Sequence, residues 1–140
     1  MKNRIVYIFT ACLILIMGCE KDVETTNKII AGNYEGTFQR EWVWAESETA
    51  NVTFTFSSNE WSGSSEIYKY PALSPGTYSI IGDSIIFTSG GAWSTEFDWS
   101  LILSGKYALS VNGDRIEFTR DYRNASSDTY IDRYVLYRKD

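Results

Sequence analysis

Gly76-Thr77-Tyr78-Ser79-Ile80-Ile81-Gly82-Asp83-Ser84-Ile85-Ile86-Phe87-Thr88 reads as a β-hairpin written in period two. It is echoed by Gly105-Lys106-Tyr107-Ala108-Leu109 and, a few residues on, Gly113-Asp114-Arg115-Ile116-Glu117-Phe118-Thr119. With Gly82-Asp83 as a two-residue primed turn, Ile80 falls opposite Ile85 and Tyr78 opposite Phe87, so four large side chains share one face. With Asn112-Gly113 as the turn of the second copy, Leu109 falls opposite Ile116 and Tyr107 opposite Phe118. The second hairpin is longer by two residues, and an even insertion keeps every side chain on its face where an odd one would reverse it. Two echoed ribbons with one apolar face each are the unit from which the fold is read.

The same alternation extends in both directions. Strands are expected near 33–44, 50–58, 60–68, 76–81, 84–89, 95–104, 106–111, 114–122 and 128–138, with turn residues spaced too closely for long helices. Apolar stripes run through Val52, Phe54 and Phe56, through Trp61 and Ile67, and through Phe97, Trp99, Leu101 and Leu103. Polar partners such as Thr53, Thr55, Asp98 and Ser100 fill the alternate places. The longer interruptions are 69–75, with Pro71 and Pro75, and 89–94, with Gly90-Gly91. A sheet with one dry face and no helix to cover it must pack on itself. Short consecutive hairpins point to an all-β, antiparallel, up-and-down barrel of eight to nine strands; a β-sandwich is the alternative. Closure requires residues 130–138 to pair back onto the first strand, leaving no exposed edge.

The N-terminus carries an address. Lys2 and Arg4, an uncharged run over 5–17, and Ile16-Met17-Gly18-Cys19 resemble a bacterial lipoprotein signal with its lipobox. The run is shorter than the roughly 20 apolar residues a spanning helix needs. The resemblance implies a signal peptide over 1–18, cleavage before Cys19, and a diacylglycerol and palmitate-type anchor on the Cys19 thiol. Residues 19–31 then form a lipidated cysteine and tether, and 32–140 the barrel domain. Glu20-Lys21-Asp22 resembles the export signals of Bacteroidota surface lipoproteins. The expected location is the outer membrane, on its periplasmic face or at the cell surface, with the surface favoured.

Charge and composition exclude several classes of function. The chain has 13 Lys and Arg against 18 Asp and Glu; without Lys2 and Arg4 the basic count falls to 11, a net charge of −7. That argues against nucleic acid. There is no histidine, and Cys12 leaves with the signal, which removes His-based acid–base catalysis, Ser-His and Cys-His pairs, and the usual zinc sites. No metal or cofactor site is expected, no catalytic residues are assigned, and the chain is read as a non-enzymatic monomer.

Ile30-Ala31-Gly32-Asn33-Tyr34, the two Gly-x-Tyr hairpins with their Gly-Asp-x-Ile-x-Phe-Thr returns, and the closing Tyr134-Val135-Leu136-Tyr137-Arg138 resemble the small lipocalin-like lipoproteins of Bacteroidota. The likeness spans residues 30–138. Tyr34 stands where the lipocalin Gly-x-Trp has tryptophan. The resemblance implies an eight-stranded calycin-type barrel and a small ligand.

Two functional readings follow. Arg40 continues the face of Tyr34, Gly36 and Phe38, and Arg120 that of Ile116 and Phe118. An inward guanidinium among aromatics demands an acidic partner, which a ligand carboxylate would supply. The first reading is therefore a cavity for a small amphipathic or acidic ligand, with Arg40 and Arg120 at its polar end and Trp61, Trp99, Tyr78 and Tyr107 as apolar wall. A protein acid such as Glu96 or Glu41 is the competing partner. The second reading is a surface interaction module in which Trp42, Trp44 and Trp93 anchor a protein or glycan, with Trp93 in its Gly-Gly loop expected to be the most exposed. A solid core with exposed aromatics would favour the second.

Overall fold

A computed structural model describes residues 27–123 and 129–139. The expected signal, Cys19 and the start of the expected tether lie outside the described residues. Eight antiparallel strands, β1 (Gly32–Trp42), β2 (Thr49–Phe56), β3 (Glu60–Ser65), β4 (Gly76–Ile81), β5 (Ser84–Ser89), β6 (Gly105–Asn112), β7 (Arg115–Asp121) and β8 (Tyr130–Arg138), follow one another round a closed barrel. The sheet closes where β1 pairs with β8 from Tyr34 opposite Arg138 to Trp42 opposite Tyr130, which excludes a sandwich. An interior of eight strands is just wide enough for side chains to fill.

They do fill it. Phe54, Phe56, Trp61, Phe87, Phe118 and Tyr134 are buried, and their rings meet edge-on or stacked, with Phe118 and Tyr134 only 4.5 Å apart and Trp61 and Phe87 5.4 Å apart. Each such ring contributes roughly 1.5–3 kcal/mol by burial and about 0.5–1.5 kcal/mol more per favourable pair. β2 shows why the stripe predicts the face: Ala50, Val52, Phe54 and Phe56 point inward and their neighbours outward without exception.

The first hairpin has the expected register, with Ile80 opposite Ile85 and Tyr78 opposite Phe87. The second is shifted by two residues. Its turn is Gly113-Asp114, so Leu109 faces Phe118 and Val111 faces Ile116. Gly82 and Gly113 both adopt φ of +59°, the left-handed conformation that glycine enters without a Cβ penalty, so both copies turn on the same dipeptide. Because the shift is even, Tyr107 and Phe118 still face inward.

Two predicted strand segments are not strand. β3 stops at Ser65, short of 68, because Ser65 Oγ donates to Tyr70 O and the chain folds back, packing Tyr70 and Leu73 against the core, with Leu73 over Gly63. Its pairing with β4 is confined to Glu60 with Thr77 and Trp61 with Gly76. The predicted strand over 95–104 is a loop containing a 3₁₀ turn, Trp99–Leu101. Asp98 Oδ1 accepts from Ser100 N (3.0 Å) and Ser100 Oγ (2.6 Å), an Asx-type cap that outcompetes the extended form. Loops 66–75 and 90–104 are joined by a bridge between Ala72 and Ile102.

The strand directions give the barrel two unlike ends. At one lie the short links 57–59, Gly82-Asp83 and Gly113-Asp114; at the other lie loops 43–48, 66–75, 90–104 and 122–129, of which 124–128 are outside the described residues. The chain enters at the short-turn end. Residues 27–31, which the sequence groups with the tether, pack there as a strap: Ile29 is buried in the core, Asn27 Nδ2 donates to Gly82 O and Leu109 O (both 3.3 Å), and Tyr34 Oη donates to Ile30 O (2.7 Å).

Candidate functional site

The loop end is where charge and exposed aromatics meet. Register places Asp132 of β8 between Arg40 of β1 and Arg120 of β7, all three on the inner face. Arg40 is 3% exposed and donates through Nε to Asp132 Oδ1 (2.7 Å) and through Nη2 to Asp132 Oδ2 (2.8 Å). Its remaining donors reach Ser100 Oγ and Ser100 O, both at 2.9 Å. The guanidinium lies 3.9 Å from the centroid of Tyr130, whose ring packs at a tilt against Trp42 (4.9 Å) and Tyr122 (4.6 Å). Above it the Arg40 amide donates to Tyr70 Oη, which donates in turn to Glu48 O.

This arrangement answers the demand of the inward arginine from within the protein. The acid is Asp132, and neither Glu41 nor Glu96 takes that place; Glu41 instead accepts from Arg133 on the outer wall. Burial pushes the Asp132 carboxyl upward against the pull of its hydrogen bonds from Arg40. Arg40→Leu would strand a buried carboxylate, so that substitution reports on folding before it reports on any ligand.

Arg120 is different. It is half-buried, donates through Nη1 to Ser104 O (3.1 Å), lies 4.7 Å over Tyr122, and forms no ion pair among the described residues. Burial raises Tyr122 to about 12 and Tyr107 further, against the lowering effect of Arg120.

The expected apolar wall is only partly inside. Trp61 and Tyr107 are buried and Tyr78 packs on the core, with its hydroxyl donating to Ser57 O. Trp61 Nε1 is buried without an acceptor among the described residues. Trp99, raised on the 3₁₀ turn, is instead 59% exposed at the rim. Among the expected partner anchors, Trp44 is 84% exposed and Trp42 43%, whereas Trp93 is half-buried against Phe97 (4.6 Å), its Nε1 donating to Ser89 Oγ. The most exposed tryptophans are thus Trp44 and Trp99, and Tyr68 at the same end is exposed as well. Sequence reading missed Asp132 and Ser100. Their signals were the alternation of Tyr130, Asp132 and Tyr134, and the position of Ser100 two residues after Asp98.

No family model, curated protein or solved structure matches the chain.

Proposed function

We propose that this chain is a lipid-anchored, non-catalytic recognition barrel of the bacterial outer membrane, held at Cys19, which engages a protein or glycan partner through Trp42, Trp44 and Trp99. One observation carries the reading. The barrel interior is occupied by its own rings, while these large tryptophans are exposed together at the end opposite the strap. A folded domain gains nothing from a tryptophan left in water, whereas aromatic side chains with an apolar body and a polar N–H are favoured anchors on proteins and sugars. The lipobox supports the anchor, and the entry of the chain at the short-turn end supports presentation of the loops away from the leaflet.

The test places a photoreactive side chain at position 44 on intact cells. A discrete adduct is expected, protein or glycan, and it should vanish in a Trp42→Ala, Trp99→Ala background whose stability is within about 1 kcal/mol of the parent. The same adduct pattern from a probe at 135 on the outer wall, or none from position 44, would defeat the proposal.

A small acid at the barrel mouth is the second reading, and Arg120 favours it, being a half-buried guanidinium between Tyr107 and Tyr122 with no carboxylate within ion-pair distance among the described residues. Native mass spectrometry of the protein from its own type of host separates the two: a stoichiometric acidic adduct lost in Arg120→Leu supports the mouth site.

A further inference from the structure

We propose that the short-turn end is a membrane-docking face, on which Ile30 and Ile81 rest in the interfacial layer of the leaflet that holds Cys19. The proposal rests on the lipid-anchor reading and extends it from an address to an orientation.

Chain length makes the first argument. Seven residues separate Cys19 from Asn27. Asn27 is fixed to the barrel floor by its bonds to Gly82 O and Leu109 O. Fully extended, that span reaches about 28 Å, so an anchored barrel keeps its floor within that distance of the lipid. A tether this short holds the floor at high effective concentration against the leaflet, and a contact too weak to recruit a free barrel is then enough to orient a tethered one.

Surface chemistry makes the second. Ile30 is 46% exposed and Ile81 65% exposed, both at this end. Beneath the strap a groove of about 600 Å³ is lined by Ile29, Ile30, Ala31, Tyr78 and Ile80 together with small polar groups such as Ser57 and Ser58. Exposed isoleucines beside short polar turns suit the boundary between headgroups and acyl chains. Lys28 is exposed next to them and offers an ammonium to a lipid phosphate, while Asp83 and Asp114 on the neighbouring turns disfavour a strongly anionic surface. The surface that fits is a zwitterionic leaflet.

The experiment reconstitutes the full chain into phosphatidylcholine vesicles with a photoreactive phenylalanine analogue at position 30, 81 or 44. Lipid adducts are expected from 30 and 81 and not from 44. In the chain carrying the probe at 30, Ile81→Asp should lower the lipid yield several-fold. No lipid adduct at 30 and 81, an equal yield at 44, or no response to Ile81→Asp would overturn the proposal. The mass of Cys19 is read in the same spectra. If that residue carries no acyl group, the anchor reading fails by itself. Docking is then measured on the chain from Cys19 coupled through its thiol to a maleimide lipid, where the same pattern is expected and its absence is again decisive.

Discussion

The two ends of this barrel are closed by different physics. At the short-turn end the cover is an apolar plug: a strap seats Ile29 in the core beside two Gly-Asp turns. At the loop end the cover is ionic and long-range, since Arg40 and Asp132 are 92 residues apart and Arg40 also holds Ser100 of the loop that crosses the mouth. An apolar plug tolerates substitution in proportion to the volume removed. A buried ion pair responds to the loss of either partner out of proportion, because the survivor keeps its charge without its counter-charge.

That contrast is broken most strongly by Asp132→Ala, which should cost about 3–5 kcal/mol in urea unfolding by leaving the buried Arg40 only the exposed Asp98 carboxylate at 3.9 Å; the double replacement Arg40→Met, Asp132→Leu should recover most of it. Ile29→Ala, at the opposite end, should cost about 2–4 kcal/mol through the cavity it opens, with no dependence on salt. Gly113→Ala forces a Cβ into the left-handed turn, where nothing lies within 4 Å to clash, so the loss should be the backbone strain alone, about 1–2 kcal/mol. A much larger loss would mean that the turn holds the register by more than its backbone.

The smallest effect belongs to the outer wall and concerns acid. Burial pushes the Glu117 carboxyl up, but Arg115 and Arg133 outweigh it and hold the group below its ordinary value of 4.5. A depressed folded value means that Glu117 contributes stability above its unfolded value, and that this contribution fades as pH falls through the folded one. Glu117→Gln should therefore flatten the stability profile below about pH 4.5 and leave the ion pair at the mouth intact. An unchanged acid limb in urea melts would show that Glu117 is screened by solvent.

What the sequence disclosed follows from this same division. Local, periodic features were legible: the inner faces of β2, β4, β5 and β7, the first hairpin register, and closure by the last strand. The second register was misplaced because Asn112-Gly113 and Gly113-Asp114 are both good primed turns, and the even shift left no trace in the side-chain pattern. Residues 95–104 looked like a strand because Phe97, Trp99, Leu101 and Leu103 alternate by accident of spacing, while the deciding interaction is a single cap from Asp98 to Ser100. The mouth was half legible. Arg40 announced that it needed an acid, but choosing Asp132 required knowing which residue of β8 lies beside it, and that depends on the register of a closure 92 residues long.

The seam between β3 and β4 carries two residue pairs where the closure between β1 and β8 carries nine. In a hoop, slack gathers at the weakest stave. Thermal breathing of this cylinder will therefore part it sideways between those two staves, with Trp61 at the hinge line as the first interior indole to be wetted. The protein thus carries its own fluorescent gauge of the wall's opening.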